Sequence, residues 1–229
     1  MKRLLLILLG TMFFIGGVRA QDEVYTWEWG LALGCDFYMG DANVSRLYKN
    51  THLAGALMAR YLINPHMAVK GSLGVGKISG DGQDLDYVFP QGTQTAFKRT
   101  VYDLSAQFEY NFWEYRIGQT FRNEKRWTPY ITGGLGLTYA PKPLRNVVTM
   151  NIPLGLGVKY KIARRMNVGL EWTVHFSLSD CLDVTSEMGN GLDNPFQISG
   201  KGMKNKDSYV MTMLFLTYDI FPKCKNCNN

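Results

Sequence analysis

The sequence has few of the residues from which metal sites and nucleophilic active sites are built. It contains three histidines, His52, His66 and His175, and all of them lie far from the C-terminal cysteines. Cys224 and Cys227 form a lone C-x-x-C pair, whereas a zinc site needs a second pair or nearby histidines. The sequence therefore predicts neither a bound metal nor a cofactor.

Long hydrophobic runs are missing after residue 20, where no apolar stretch reaches the roughly 18 residues of a membrane-spanning helix. The first twenty residues differ from the rest. Lys2 and Arg3 precede an apolar stretch over 4–17, and Ala20 ends the segment. This order of positive charge, apolar core and small residue is typical of a cleaved signal peptide. We therefore expect the chain to be exported.

A strong excess of positive charge is missing from the exported part. The whole sequence has 25 Lys and Arg against 19 Asp and Glu, but three of the 25 bases lie in the signal, which leaves 22 and a net charge of +3. A nucleic-acid partner requires a basic patch or stripe. The charge therefore indicates no nucleic acid, and no motif indicates a small-molecule substrate.

Alternating apolar and polar residues recur in eight segments. In the sixth, apolar side chains occupy every second position from Val148 to Ile162, and polar or small residues such as Lys159 and Lys161 lie between them. A period of two indicates β-strands, and each segment reaches the roughly 9–11 residues that a tilted strand needs to cross a bilayer. The predicted strands are 25–39, 52–62, 67–78, 98–112, 127–139, 147–162, 166–177 and 208–221.

This alternation is also compatible with a soluble β-sandwich. The polar faces, however, carry charges and glycines, whereas the inner faces of a sandwich are apolar. The apolar faces end in aromatic residues and would form large exposed patches in water. A closed barrel in lipid explains both features, because it leaves no unpaired strand edge. We predict an all-β, eight-stranded antiparallel up-and-down transmembrane barrel, surrounded by lipid of the cell outer membrane.

Eight strands enclose an interior that side chains can just fill. The predicted filling is charged and nearly balanced, and we expect Glu109 and Glu171 to neutralise Lys159 and Lys161. A filled interior argues against a pore. The inward charges are Glu28, Asp36, Arg60, Lys70, Asp103, Glu109, Lys159, Lys161 and Glu171, and the expected network consists of Arg60, Lys70, Glu109, Lys159, Lys161 and Glu171.

Short and long connections alternate along the chain. Outer-membrane barrels have short periplasmic turns and long outer loops, so the tight connections at 64–66 and 163–165 predict periplasmic termini. The connection 113–126 breaks this rule, because it should be periplasmic yet is long, basic and aromatic. We interpret it as a docking segment for a periplasmic partner. Its candidate docking residues are Trp113, Tyr115, Arg116, Arg122, Lys125 and Arg126.

The predicted domains are a signal peptide over 1–20, the barrel over 21–221 and a periplasmic C-terminal tail over 222–229. Strand eight should end near residue 221 because Pro222 has no N–H for the ladder.

The tail contains Cys224 and Cys227, and a lysine lies on each side of Cys224. Two interpretations are open. The cysteines can pair with each other, or one of them can form a covalent link to a periplasmic partner. The adjacent positive charges favour the reactive thiolate.

A barrel enzyme would need a nucleophile and a base near its outer rim. His175 and Ser177 share one side of the seventh strand, but the sequence shows no third group that would orient His175. We interpret His175 as an interior histidine and predict that the protein is not an enzyme. A barrel enzyme acting on lipid is an alternative.

Short blocks follow in order along nearly the whole exported chain. They are Trp27-Glu-Trp-Gly30, Tyr38-Met-Gly-Asp41, Arg60-Tyr61, Leu104-Ser-Ala-Gln-Phe-Glu-Tyr-Asn-Phe112, Trp127-Thr-Pro-Tyr130, Ile152-Pro-Leu-Gly-Leu-Gly-Val-Lys-Tyr160, Gly169-Leu-Glu-Trp172 and Ser179-Asp-Cys-Leu-Asp183. This set resembles the PorG family, small outer-membrane barrels of the Bacteroidetes type IX secretion system. The chain departs from the family pattern at Cys181, where that pattern has tyrosine.

The resemblance implies a non-catalytic barrel subunit that fixes a periplasmic ring, built from a lipoprotein and a ring partner, to the outer membrane. That hypothesis places function on the periplasmic face, at 113–126 and 222–229. The alternative is a small surface barrel whose outer loops, near 79–97 and 178–207, bind a ligand or a host.

Overall fold

The computed structural model describes residues 24–40, 47–81, 96–115, 126–141, 146–163, 165–179, 182 and 207–223. These residues form eight β-strands. They are β1 (Val24–Met39), β2 (His52–Asn64), β3 (Met67–Asp81), β4 (Ala96–Asn111), β5 (Trp127–Ala140), β6 (Val147–Ala163), β7 (Met166–Ser177) and β8 (Ser208–Lys223). Each strand pairs antiparallel with the next, and β1 also pairs with β8, so the sheet closes into a barrel. The predicted strands and the predicted up-and-down barrel are confirmed. In the described part of the chain, no helix is long and apolar enough to span a membrane.

The two ends of the barrel differ in their connections. We call the end that carries Val24 and Lys223 the turn end. A two-residue turn joins β2 to β3 there, and the Asn64 side-chain oxygen accepts a hydrogen bond from the His66 backbone N–H at 2.9 Å. The opposite end, the loop end, carries the connections 40–51, 82–95, 141–146 and 178–207.

Strand β8 is longer than predicted. Pro222 pairs with Tyr25 of β1, and the strand ends at Lys223. The proline is tolerated because β7 begins only at Met166, which lies opposite Tyr218. Pro222 therefore has a neighbouring strand on one side only, and its missing N–H costs no hydrogen bond on the other side.

The outward face of the barrel is apolar over most of its height. Leu156 on β6, Leu170 on β7 and Leu214 on β8 each expose more than half of their surface. Leu104 on β4 is exposed to the same extent, and the orientation predicted for β4, β6 and β7 is confirmed. Strand β8 has apolar residues on both faces, and the structure places Met213 and Phe215 inside.

Aromatic side chains lie near both ends of this apolar face. Trp27 packs against Tyr61 toward the turn end, with ring centroids 5.1 Å apart. Toward the loop end, the ring centroids of Tyr102 and Tyr139 are 6.2 Å apart. In water such a face would be a very large exposed patch, whereas an apolar band between aromatic girdles is the outward face of a membrane-spanning barrel.

Glycine is required where neighbouring strands approach closely on the inner wall. A Cβ atom on Gly34 would lie 1.9 Å from the backbone oxygen of Thr212, and one on Gly134 would lie 2.0 Å from the backbone oxygen of Ala106. Any other residue at these two positions would push adjacent strands apart.

Candidate functional site

The barrel interior holds a network of six charged side chains from six strands, with Arg60 at its centre. The Arg60 Nε donates to Glu109 Oε1 at 2.7 Å, and its Nη1 donates to Glu28 Oε2 at 3.4 Å. Lys159 Nζ donates to the second Glu109 oxygen at 2.5 Å. The guanidinium also lies over the ring of Phe215, 4.3 Å from its centroid. Charge-assisted hydrogen bonds and a cation–π contact thus replace the water that Arg60 loses on burial.

The other half of the network is the pair of Lys70 and Glu171. Lys70 Nζ lies 2.6 Å from both carboxylate oxygens of Glu171. Tyr130 donates its hydroxyl to the same carboxylate at 2.6 Å, and Thr173 donates to it at 3.1 Å. The network contains three bases and three acids, so its formal charge is balanced, as buried charges require.

Lys161, which was expected in this network, lies at a different height in the barrel from Glu171. Glu171 lies opposite Gly157, whereas Lys161 lies opposite Asn167, four residues closer to the turn end. Four residues of strand correspond to roughly 13 Å. The Lys161 ammonium instead lies 5.6 Å from the ring centroid of Tyr115.

A second polar cluster lies closer to the loop end. Asp103 Oδ2 accepts hydrogen bonds from Asn151 Nδ2 at 2.6 Å and from the Tyr209 hydroxyl at 2.8 Å. His175 stacks on the Tyr209 ring, and its Nδ1 lies 3.4 Å from Asp103 Oδ2. A cavity of about 30 Å³ lies between this cluster and the charge network. It has room for about one or two water molecules, so side chains fill the described interior.

The interior histidine has the third group that the sequence analysis missed, namely Asp103. A nucleophilic site also needs a hydroxyl bonded to the histidine. Ser177 instead donates to Thr149 at 3.4 Å and to the backbone oxygen of Ser179 at 3.2 Å. The hydrogen bond from Ser177 to Thr149 links β7 to β6 on the inner wall. Among the described residues, no cluster of His, Cys, Asp and Glu is arranged to hold a metal ion.

A buried cluster around Asp207 fills the loop end of the barrel. The Tyr38 hydroxyl donates to Asp207 Oδ1 at 2.5 Å, and the Leu182 backbone N–H donates to Oδ2 at 2.9 Å. Arg99 donates to the backbone oxygens of Leu182 and Ala140, at 3.3 and 3.2 Å. Leu182 belongs to the connection between β7 and β8, so part of this connection lies inside the barrel. No pattern in the sequence points to this cluster, because Leu182 lies in a connection.

The turn end is filled by Tyr115, which is 1% exposed. Its hydroxyl donates to Asn167 Oδ1 at 2.6 Å, and Asn167 Nδ2 donates to Asp219 Oδ1 at 2.8 Å. Its backbone N–H donates to the Pro65 oxygen at 3.2 Å. Burial, and then the nearby carboxylates of Glu28 and Asp219, hold the pKa of Tyr115 well above its usual value, so the hydroxyl stays a donor.

Tyr115 was predicted as a docking residue, and the structure corrects this prediction. Its side chain is buried and cannot contact a partner. Trp113 is half-buried and packs edge-on against Trp127, with ring centroids 4.0 Å apart. Arg126 is exposed. The remaining candidates lie outside the described residues, and these are Arg116, Arg122, Lys125, Cys224 and Cys227.

Comparisons with known proteins give a family and a set of similar folds. A family model described as "Domain of unknown function (DUF6089)" matches residues 2–229. A comparison with curated proteins finds no match. Neisserial surface protein A (NspA) is 13% identical with a TM-score of 0.48, over 85% of this chain and 97% of that chain. Ail of Yersinia pestis is 12% identical with a TM-score of 0.44, over 87% and 100%. OprG of Pseudomonas aeruginosa is 10% identical with a TM-score of 0.45, over 87% and 98%.

Proposed function

This chain belongs to the DUF6089 family, and we propose that it is a non-catalytic outer-membrane subunit that anchors the periplasmic ring of a type IX protein secretion system. The observation that carries the proposal is the filled turn end, where Tyr115 holds the start of the connection between β4 and β5 inside the barrel. The proposal takes the turn end as the periplasmic end.

The filled interior favours a function at the rims of the barrel. The balanced charge network occupies the middle of the interior, and buried clusters around Asp207 and Tyr115 occupy its two ends. The cavity of about 30 Å³ is too small for a metabolite or a polypeptide. A partner would therefore contact the surfaces that the barrel presents on either side of the membrane.

The turn end offers a preorganised surface for such a partner. The backbone N–H of Phe112 donates to Pro129 at 3.0 Å, and that of Trp113 donates to the Thr128 hydroxyl at 3.1 Å. Together with the bond from Tyr115 to Pro65, these contacts fix the segment 112–115 against β5 and the β2–β3 turn. A segment that is already fixed loses less conformational entropy when a partner binds.

The class of partner comes from the resemblance to the PorG family, which points to a periplasmic lipoprotein and its ring partner. A barrel suits the role of anchor on physical grounds. Pulling it from the membrane would expose its whole apolar outward face to water. A ring that docks on the turn end is thereby held at the membrane surface.

Site-specific crosslinking in intact cells tests the proposal. A photoreactive residue at Glu114, which is exposed at the turn end, should crosslink to the ring lipoprotein or its partner. The matched position is Leu47, which is exposed at the loop end and should give no such product. Deletion of the protein should also leave secretion cargo in the periplasm.

The opposite pattern would support a different function. Crosslinks from Leu47 to an extracellular molecule, with none from Glu114 and with normal export of cargo in the deletion strain, would make the chain a surface-binding barrel. The anchoring proposal would then be wrong.

A further inference from the structure

The outward face of the barrel carries very little charge. Among the outward-facing strand residues whose side chains the structure describes, two are charged, namely Lys77 of β3 and Lys98 of β4. Both side chains are exposed. In the β3–β4 ladder, Lys77 lies opposite Thr100, and Lys98 lies opposite Ser79. The two lysines are therefore diagonal neighbours on one face, with about 7–8 Å between their backbones.

Both lysines lie just beyond the apolar band, toward the loop end. On β4, Lys98 is separated from the girdle residue Tyr102 only by Thr100 among the outward positions. On β3, Lys77 is the first outward residue past Val75, which pairs with Tyr102. Aromatic girdles mark the boundary between hydrocarbon and headgroups. The two ammonium groups are thus placed at the depth of lipid headgroups.

A groove of about 260 Å³ on the outward face includes Lys77 and Thr100 among its lining residues, and Lys98, the diagonal neighbour of Lys77, lies on the same face. Its apolar walls include Leu33, Leu53 and Val75. The groove exists because Gly55 lies between Leu33 and Val75 in the sheet and contributes no side chain. It is apolar and faces the surrounding lipid.

The strands also separate at this place. The described β2–β3 ladder starts at the pair Gly55–Val75 and runs to the turn end. The β1–β2 ladder continues further toward the loop end, to Asp36–His52, and the β3–β4 ladder continues to Asp81–Ala96. The loop-end residues of β2 and β3 therefore diverge, and the groove lies where they part.

We propose that this groove binds one phosphate-bearing lipid of the leaflet at the loop end. The lipid phosphate lies between Lys77 and Lys98 and accepts a hydrogen bond from the Thr100 hydroxyl. One acyl chain lies in the groove over Gly55. The occupant is an amphiphile because Lys77 and Thr100 line the same groove as the apolar side chains of Leu33, Leu53 and Val75. A soluble anion would contact the basic and polar residues but not the apolar walls of the groove.

The source of the lipid depends on which end of the barrel lies outside the cell. This step alone rests on the proposed function, which takes the turn end as the periplasmic end. With the loop end outside, the leaflet is the outer leaflet of the outer membrane, so the phosphate belongs to a lipid A type of glycolipid. The test uses purified full-length protein without secretion partners. Its outcome is therefore independent of whether the barrel anchors a ring.

Native mass spectrometry of the folded protein in mild detergent measures the binding, with bisphosphorylated lipid A as the probe. Wild-type protein should retain one lipid A molecule and should not lose it to millimolar inorganic phosphate. Lys77→Gln and Lys98→Gln should each lower the affinity about fivefold, since a lysine near an anionic surface contributes on the order of 1 kcal/mol. Arg126→Gln removes an exposed charge at the turn end and should change nothing.

The groove has its own matched pair of variants. A Cβ atom on Gly55 would meet only the Leu33 side chain at 3.5 Å and the Ala32 oxygen at 3.7 Å, and one on Gly71 would meet nothing within 4 Å. Both glycines face outward, but only Gly55 lies in the groove. Gly55→Leu should reduce lipid A retention, and Gly71→Leu should not. Equal retention in wild type, Gly55→Leu and both lysine variants, or equal loss in Gly71→Leu, would overturn the proposal.

Discussion

Lys70 on β3 and Glu171 on β7 meet across the lumen of the barrel, with the Lys70 ammonium nitrogen 2.6 Å from both carboxylate oxygens of Glu171. The two strands are not neighbours in the sheet. The contact therefore ties opposite parts of the wall together, which backbone hydrogen bonds between adjacent strands cannot do. Both groups are buried, and removing either one leaves the other without its opposite charge at hydrogen-bonding distance.

The first prediction concerns this pair. Glu171→Ala should lower the free energy of unfolding by about 3–5 kcal/mol. The substitution leaves Lys70 buried without its carboxylate partner and leaves the network with one excess positive charge. Urea unfolding of the protein in lipid vesicles, followed by tryptophan fluorescence, measures the change. Glu114→Ala is the matched control, since it removes an exposed carboxylate and should change the stability by less than about 0.5 kcal/mol.

A double variant separates the loss of the pair from the loss of packing. Replacing a buried ion pair by apolar residues of similar volume is often neutral, so Lys70→Met combined with Glu171→Met should be more stable than Glu171→Ala. If the double variant is as unstable as the single one, the stranded charge is not the cause.

The second prediction concerns the outward face. Leu156 is 56% exposed on β6, and an arginine near the midplane of a barrel's lipid face costs about 2–4 kcal/mol. Leu156→Arg should therefore reduce the heat-modifiable folded band on gels, whereas Leu156→Met at the same position should not. An undiminished folded band for Leu156→Arg would mean that this face does not contact lipid.

The faces of the strands could be predicted because a strand has a side-chain period of two. Once Leu156 is placed outside, the orientation of every residue from Val148 to Ile162 follows. The rule gave no answer for β8, because Met213 and Phe215 are apolar and yet face inward. Phe215 packs there against Arg60, and Met213 and Phe215 both belong to the buried apolar cluster of the interior, which the alternation of a single strand does not show.

Contacts across the lumen could not be predicted from the same pattern. Alternation shows that Lys70, Lys161 and Glu171 all point inward, but not which of them lie at the same height. That depends on how far each strand is shifted against the next around the whole barrel. Tyr115 and Leu182 were missed for another reason, since both belong to connections, where no period applies.

The third prediction concerns Tyr115. Tyr115→Phe removes the hydroxyl that donates to Asn167 at 2.6 Å and leaves a buried acceptor without this donor. We expect a loss of about 1–3 kcal/mol of local stability and faster tryptic cleavage after Arg116, Arg122 and Lys125. Tyr110→Phe is the control, because that hydroxyl is on the outward face of β4. Identical cleavage rates in the two variants would show that Tyr115 does not hold this connection.

The fourth prediction concerns the cysteines that follow β8. The strand continues through Pro222 to Lys223, which pairs with Val24 at the turn end of the barrel, and Cys224 is the next residue in the sequence. On the proposed orientation, the turn end is the periplasmic side, where disulfides persist. The lysine before Cys224 and the one after it raise the fraction of reactive thiolate. We propose that one thiol of the pair forms a disulfide with a cysteine of a periplasmic partner, by thiol–disulfide exchange in which a periplasmic disulfide oxidant takes up the two electrons and two protons.

Non-reducing gels of cells treated with a thiol-blocking reagent should then show a band of higher mass that disappears on reduction. The band should be lost when Cys224 and Cys227 are both changed to serine and should persist in Cys35→Ser, since Cys35 lies on the outward face of β1 and is half-buried there. If wild-type protein gives no such band, the two cysteines instead pair with each other or stay reduced. If the double variant keeps the band, the link uses another cysteine. Either result would show that Cys224 and Cys227 do not form the covalent link to a partner.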